Sequence, residues 1–243
     1  MKLTTLGSGS SGNSYILEND SEALIIEAGV PFASVQRALN FNISKIVGCL
    51  VSHEHKDHSG HVHEFPRFIP VFASLGTMEK CGAASNFRAV KAGHMFTAGS
   101  FRIIPFAVKH DAAEPFGFFI HHPESGSILF ATDTYYLPNP FLGLNNIMIE
   151  ANYRMDILEK NVQKGIISDA RRNRTLQSHM SYETCLQTLL ANDLSGVNHI
   201  VLIHLSNDNS NAQEFQAGIR EATGKTVHVA DKGMSINFNK TPF

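Results

Sequence analysis

The run His53-Glu54-His55-Lys56-Asp57-His58 places four metal-binding side chain types within six consecutive residues. Imidazole nitrogens and carboxylate oxygens suit Zn²⁺ and also Mn²⁺ or Fe²⁺, so the donor set alone leaves the metal open; zinc is the default expectation. Histidines at i and i+2 project to the same side of an extended segment, which lets His53 and His55 reach one ion. Asp57 and His58 follow on a turn that can aim them at a second. A solvated polar turn would account for an isolated His pair but not for this density. Two ions about 3.5 to 4 Å apart can share a water, lower its pKa towards neutrality and set hydroxide opposite a leaving group, which is the chemistry of ester hydrolysis.

The elements that must position these residues are readable on either side. Ile46 to Val51 is a nearly unbroken apolar run of strand length, as in a strand covered on both faces, and it leads directly into His53. Before it come short β-rich pieces at Lys2 to Leu6, Ser14 to Leu17 and Ala23 to Glu27, with a helix from about Phe32 to Leu39 after Pro31. Further strands are predicted at Val71 to Ala73, Phe101 to Val108, Phe116 to His121, Ile128 to Thr132 and Ile147 to Glu150, with Pro123-Glu124-Ser125-Gly126 closing a hairpin. From Met155 the period becomes helical through Ile166, and again from Tyr182 to Leu190 after Ser181. A strand from His199 to Leu205, a helix near Ala212 to Ala222 and terminal strands at Val227 and Ile236 complete the chain. No linker or close repeat interrupts it, so residues 1–243 are expected to form one α/β domain, with a β-meander followed by helices stated twice.

The histidine motif resembles the His-x-His-x-Asp-His signature of the metallo-β-lactamase-fold hydrolase superfamily, and all four signature positions match. The resemblance implies a four-layer αββα sandwich, with two mixed β-sheets packed face to face and helices outside. It also implies three later ligands, which fall on His110 after Phe101 to Lys109, Asp133 after Ile128 to Thr132, and His204 in the apolar run Ile200 to His204. One divalent metal would then be held by His53, His55 and His110, another by Asp57, His58 and His204, with Asp133 shared. Read without the motif, His110-Asp111 would be a surface pair, Asp133 a turn residue beside Thr134, and His204 a satisfied core histidine. His61 and His63 are expected to be structural or at the surface, on a following helix, and His94, His121, His122, His199 and His228 carry no partner pattern.

Within that superfamily, Leu6-Gly7-Ser8-Gly9-Ser10-Ser11-Gly12-Asn13-Ser14 resembles the glycine/serine loop of the YycJ-like (WalJ) exonuclease group, as do Glu150-Ala151-Asn152-Tyr153, His179-Met180-Ser181 and His204-Leu205-Ser206. What this implies is 5′-to-3′ exonuclease-like cleavage of DNA, with nucleic acid as substrate. From the residues themselves, Ser10, Ser11 and Asn13 could cradle a phosphate or line the metal cleft, or simply form a tight turn. Arg171, Arg172 and Arg174 could grip a nucleic-acid backbone just before His179. Asp57 and His179 are the residues expected to carry catalysis, His179 by hydrogen-bonding the scissile phosphate or protonating the leaving oxygen. The alternative keeps the site and changes the bond, to a small phosphodiester, thioester or lactone. A non-enzymatic structural zinc site is disfavoured because the cluster lacks cysteine and leaves room for water. A di-iron redox variant is disfavoured because that branch typically carries Glu where His55 stands.

Composition bounds the rest. Twenty Lys plus Arg against 22 Asp plus Glu give a net charge of −2, so any contact with a polyanion must be local. Three widely spaced cysteines, Cys49, Cys81 and Cys185, fit reduced thiols in a cytoplasmic compartment. The amino terminus lacks the long apolar core of a signal peptide, and no run approaches the roughly 20 apolar residues that span a bilayer as a helix. A cytoplasmic protein without a membrane partner is expected; oligomeric state is not encoded in any pattern.

Overall fold

The computed structural model describes residues 1–82, 84–137 and 140–242. In chain order the first half holds β1 (Lys2–Gly7), β2 (Ser14–Glu18), β3 (Ala23–Ile26), α1 (Phe32–Ala38), β4 (Ile46–Leu50), α2 (Lys56–Ser59), β5 (Val71–Ala73), α3 (Leu75–Cys81) and β6 (Phe87–Ala89). The second half holds β7 (Phe96–Ala98), β8 (Phe101–Ala107), β9 (Phe116–His122), β10 (Gly126–Ala131), β11 (Leu144–Glu150), α4 (Met155–Gln163), α5 (Asp169–Ser178), α6 (Tyr182–Leu190), β12 (His199–Ile203), α7 (Ala212–Thr223), β13 (Thr226–Val229) and β14 (Ser235–Asn237).

These strands form two seven-stranded sheets, in the orders β14-β1-β2-β3-β4-β5-β6 and β13-β12-β11-β10-β9-β8-β7. Both are mixed: β3 to β6 run parallel in the first and β10 to β13 in the second, while the remaining pairs are antiparallel. The period of two along each strand decides the layers, because successive side chains leave opposite faces. In the first sheet Leu24, Ile26 and Leu50 point inward, where they share one core with Ile128, Phe130, Met148, Val201 and Ile203 of the second. Their neighbours point outward. Ile25, Cys49 and Val51 meet Phe32 and Val35 of α1, and Leu129, Ile149 and Leu202 meet Cys185 and Leu189 of α6 and Phe215 and Ile219 of α7. The αββα sandwich follows from this double-sided burial, with Tyr15 and Phe130 meeting edge to face across the sheets, centroids 5.9 Å apart.

The hairpin at residues 123–126 lies between β9 and β10, which pair His122 with Gly126. Four differences stand against the sequence reading. The helix that starts at Met155 ends at Gln163, before the left-handed Gly165 (φ 70°), and does not reach Ile166. The arginine run, to which no element was assigned, lies on α5, whose amino end is capped by the Ser168 hydroxyl accepting from Arg171 N. The three-residue strands β6 and β7 and the helix α3 had no counterpart in the reading. His61 precedes and His63 lies within a single 3₁₀ turn, Val62–Glu64, rather than riding a longer helix; His61 Nδ1 pairs with Glu64 at 2.5 Å and His63 Nε2 donates to Cys81 O at 2.7 Å.

Candidate metal centre

In sheets whose parallel strands point the same way, loops leaving the carboxyl ends collect on one side, where ligands of open α/β folds are bound. Here β3 ends next to Glu27, β4 leads through Val51-Ser52 to His53, β10 leads through Thr132 to Asp133, β11 ends on Glu150, and β12 runs into His204. The histidine motif itself splits in two. His53 and His55 lie on extended chain, His55 at φ −60°, ψ 145°, and the one-turn helix α2 then turns Asp57 and His58 back towards them.

Among the described residues, two donor sets form on the histidine motif, beside a third group of Asp133, Glu150, His179 and His204. His53, His55, His110 and Asp133 each offer a ligand atom within 4.8 Å of the others, and so do Asp57, His58, Asp133 and His204. In the first, His55 Nδ1 stands 3.1 Å from both His53 Nε2 and His110 Nε2. Asp133 Oδ2 faces the same group, 3.8 Å from His53 Nε2 and 3.6 Å from His110 Nε2. In the second, Asp57 Oδ2 lies 3.3 Å from His58 Nε2 and 3.1 Å from His204 Nε2. The other Asp133 oxygen, Oδ1, faces this set, 3.4 Å from His58 Nε2. One carboxylate thus addresses both sets, an oxygen to each.

The second nitrogen of His53, His110 and His204 is also engaged, which fixes the orientation of those rings. His53 Nδ1 meets Ser52 Oγ at 2.9 Å and His110 Nδ1 donates to Ser178 O at 2.8 Å. His204 Nδ1 lies 3.2 Å from Glu150 Oε1. His58 Nδ1 is fully buried without a hydrogen bond; the nearest acceptor, Glu27 Oε2, is 3.5 Å away. Glu27 and Glu150 are themselves buried, Glu27 beside Ser52 N and Glu150 accepting from Thr134 N and Met180 N at 3.0 Å.

The charge balance suits cations. Burial alone would lower His204, but Asp133, Asp57 and Glu150 outweigh it and raise its pKa to about 10. His58 moves the same way, burial again overcome by Asp133 and Glu27. His53 goes the other way: burial, then His58, hold it neutral. Buried carboxylates that draw positive charge onto two imidazoles, facing His53 and His110, whose protonation burial disfavours, form a donor set that divalent ions fit.

Backbone strain gathers here too. Glu27 (φ 70°), Asp133 (φ 43°) and His204 (φ 54°) all occupy the left-handed region, which costs a non-glycine residue of order 1–3 kcal/mol. Each is the residue where a parallel strand breaks off to turn its side chain into the cluster.

Above the two sets opens a cleft of about 250 Å³, lined by His55, Asp57, Asp133 and His204 and walled by His179, Arg171 and Arg174. Arg171, Arg174 and Thr175 share one face of α5 by their i, i+3, i+4 spacing. His179 caps the end of that helix, its Nδ1 donating to Glu150 Oε1 at 2.7 Å. Ser10 lines the cleft, whereas Ser11 is exposed outside the lining. Besides Ser11, two further residues expected to meet substrate do not face the cleft. Arg172 points off α5 to pair with Glu159 of α4. Asn13 is buried beneath the cluster: its Oδ1 accepts from Gly9 N at 2.7 Å, and its Nδ2 donates to Asp57 O at 3.1 Å and lies 3.2 Å from His58 Nε2. The glycine/serine loop as a whole buttresses α2, with Asn13 N donating to Asp57 O at 2.7 Å.

The Beta-lactamase superfamily domain profile matches residues 24–205, a span that includes both donor sets. The chain belongs to the metallo-β-lactamase superfamily. It is similar to the exodeoxyribonuclease YycJ of Bacillus anthracis, 27% identical with 86% of this chain and 84% of that one covered. It is also similar to the exodeoxyribonuclease WalJ of Streptococcus pneumoniae, 27% identical with 98% and 92% covered. Among solved structures, the metallo-β-lactamase-fold protein YhfI of Bacillus subtilis superposes with a TM-score of 0.73 at 16% identity, over 97% of this chain and 99% of that one. This metallo-β-lactamase-superfamily chain is a metal-dependent hydrolase.

Glu27, Asn152 and Ser8 complete the surroundings and were not singled out from the sequence. Asn152 Nδ2 donates to His204 O at 2.8 Å, and Ser8 Oγ accepts from His204 N at 3.0 Å. The only signal for Glu27 was an acidic residue closing an apolar strand, which many solvated strand ends share.

Proposed function

We propose that the protein is a dinuclear phosphodiesterase that degrades DNA from a 5′ end, working in the cytoplasm. The observation that carries the reading is the division of Asp133 between two donor sets at the floor of a cleft walled by two arginines. His53, His55 and His110 with Asp133 Oδ2 would hold one divalent ion, Zn²⁺ by default, and Asp57, His58 and His204 with Asp133 Oδ1 the other. When bound, such a pair supplies Lewis-acid polarisation of a phosphoryl oxygen and a nucleophile from water at neutral pH.

The chain's own residues do the rest. Arg171 and Arg174 bring guanidinium forks to phosphate oxygens, at the cost of loosening their exposed pairs with Asp208 and Asp111. Glu150 fixes His179 through Nδ1, which leaves Nε2 as the nitrogen available to hydrogen-bond the scissile phosphate or protonate the leaving oxygen. The named activity of the YycJ and WalJ relatives favours DNA, and the three unpaired cysteines suit a reducing compartment. The test is to incubate metal-loaded protein with end-labelled single- and double-stranded DNA and RNA, beside bis-p-nitrophenyl phosphate and a thioester, with EDTA and Asp57→Ala as controls. DNA shortened from its 5′ end and protected by EDTA is the expected result. Hydrolysis of the thioester alone would remove the nuclease reading.

A further inference from the structure

A second cleft, of about 590 Å³, lies against the first and shares Arg174 with it. Its position follows from the helical period of α5. Arg171, Arg174 and Thr175 face the metal cleft, whereas Ala170, Asn173, Arg174 and Gln177 line its neighbour, so Arg174 stands on the ridge between the two. The opposite wall is Tyr135, two residues beyond Asp133, with its backbone N donating to Lys109 O at 3.2 Å. Val108 and Pro115 supply apolar floor, and Asp111, the acidic group in this cleft, is already paired with Arg174 at 2.9 Å.

This combination has a chemistry of its own. Tyr135 is 43% exposed, an aromatic ring kept in solvent beside an active site. Asn173 and Gln177, four residues apart on one helix face, offer two carboxamides, each a donor and an acceptor. Lys109 and Arg174 add positive charge at the two flanks. An aromatic platform, amide edges and flanking cations are what a single-stranded nucleotide recognises: the π face takes the base, the carboxamides meet its edge and the cations meet its phosphates.

We infer that this second cleft is a nucleobase subsite that seats the nucleoside adjoining the phosphate held in the metal cleft, with Tyr135 as its stacking platform. The inference rests on the nucleic-acid reading of the metal cleft, but it concerns binding and can be judged separately from turnover. Because Arg174 borders both clefts, a strand whose phosphate lies at the arginine has its adjoining nucleoside beside the cleft that Tyr135 lines.

The test is fluorescence anisotropy with zinc-loaded full-length protein and a labelled 5′-phosphorylated single-stranded oligodeoxynucleotide with a phosphorothioate backbone, which resists hydrolysis. The same strand carrying abasic sites in its first three positions serves as comparison. Wild type should bind the base-bearing strand about ten-fold more tightly than the abasic one. Tyr135→Ala should abolish that preference, and Tyr135→Phe, which keeps the ring, should restore it. Equal preference in wild type and Tyr135→Ala would overturn the inference, as would a wild type that does not distinguish the strands. Protein that prefers bases through Tyr135 yet hydrolyses no nucleic acid would retire the nuclease reading and leave the subsite standing. Protein that trims DNA while Tyr135→Ala binds as wild type would do the reverse.

Discussion

His204 Nε2 stands 3.1 Å from Asp57 Oδ2 across 147 residues of chain, joining the end of a strand in one sheet to the turn that follows a strand in the other. Nothing local brings the two together; the contact exists because the sheets pack face to face. Asp57→Ala should therefore release the ion of its own set and spare the set built on His53, His55 and His110. Elemental analysis should fall from two equivalents of metal to about one, with hydrolysis of bis-p-nitrophenyl phosphate down by at least about a hundred-fold. Retention of two ions at wild-type affinity would remove Asp57 from the ligand set.

His179 and Glu150 separate chemistry from metal holding. His179→Ala should keep two equivalents of metal and lose about 10²- to 10⁴-fold in turnover, the range of a positioned acid or base. Glu150→Gln weakens the hold on both His179 Nδ1 and His204 Nδ1. It should lower turnover and also metal affinity, the latter by about 10- to 100-fold in a chelator competition. Metal loss in His179→Ala would mark that residue as a ligand.

Gly29 lies where three segments meet. A Cβ there would sit 1.8 Å from Asp57 O and 2.6 Å from Asn13 N, both backbone atoms that cannot rotate aside. Gly29→Ala should push α2 away from the glycine/serine loop and destabilise the fold by roughly 1–3 kcal/mol, read as a lower urea midpoint. Metal bound at the Asp57 set should weaken in parallel.

Four of the seven metal-binding candidates were legible in the dense motif His53 to His58 after an apolar strand; His110, Asp133 and His204 were named through the resemblance to the superfamily signature, since each read alone has an ordinary structural explanation. The groups that orient them were not legible. Glu27 is a single acidic residue closing β3, and its burial is visible only once the sheets have docked. Helix α5 escaped for a related reason: its sequence, Asp169 to Ser178, buries only Ser178, so no apolar stripe declares a helix. Its Ser168 cap was the available signal. Strands β6 and β7, with three residues each, are too short for alternation to register. Asn13 belongs to a loop left open between a phosphate cradle, a cleft lining and a tight turn, and only the packed loop reveals that its amide serves Asp57 and His58.

Away from the site, Glu18 gives a pH signature. Burial raises its pKa, but Lys2 at 2.6 Å and Lys45 at 2.5 Å outweigh burial and hold the carboxyl below its usual value. A folded pKa below the unfolded one contributes stability that is full above the unfolded value, near 4.5, and is lost as pH falls through the folded value. Lys45→Met should thus unfold at lower urea than wild type at pH 7, with the gap narrowing as pH drops below 4.5. A gap constant over that range would show that the pair contributes nothing through charge.

Because Asp133 and His204 come from the second sheet while the histidine motif comes from the first, neither half of the polypeptide owns a complete ion site. During synthesis the emerging chain passes through a long interval in which the motif is already made and its counterparts are not. Catalytic competence therefore arrives late, after the ribosome has delivered β12. A truncated or stalled product would carry the most recognisable part of the sequence without a complete donor set.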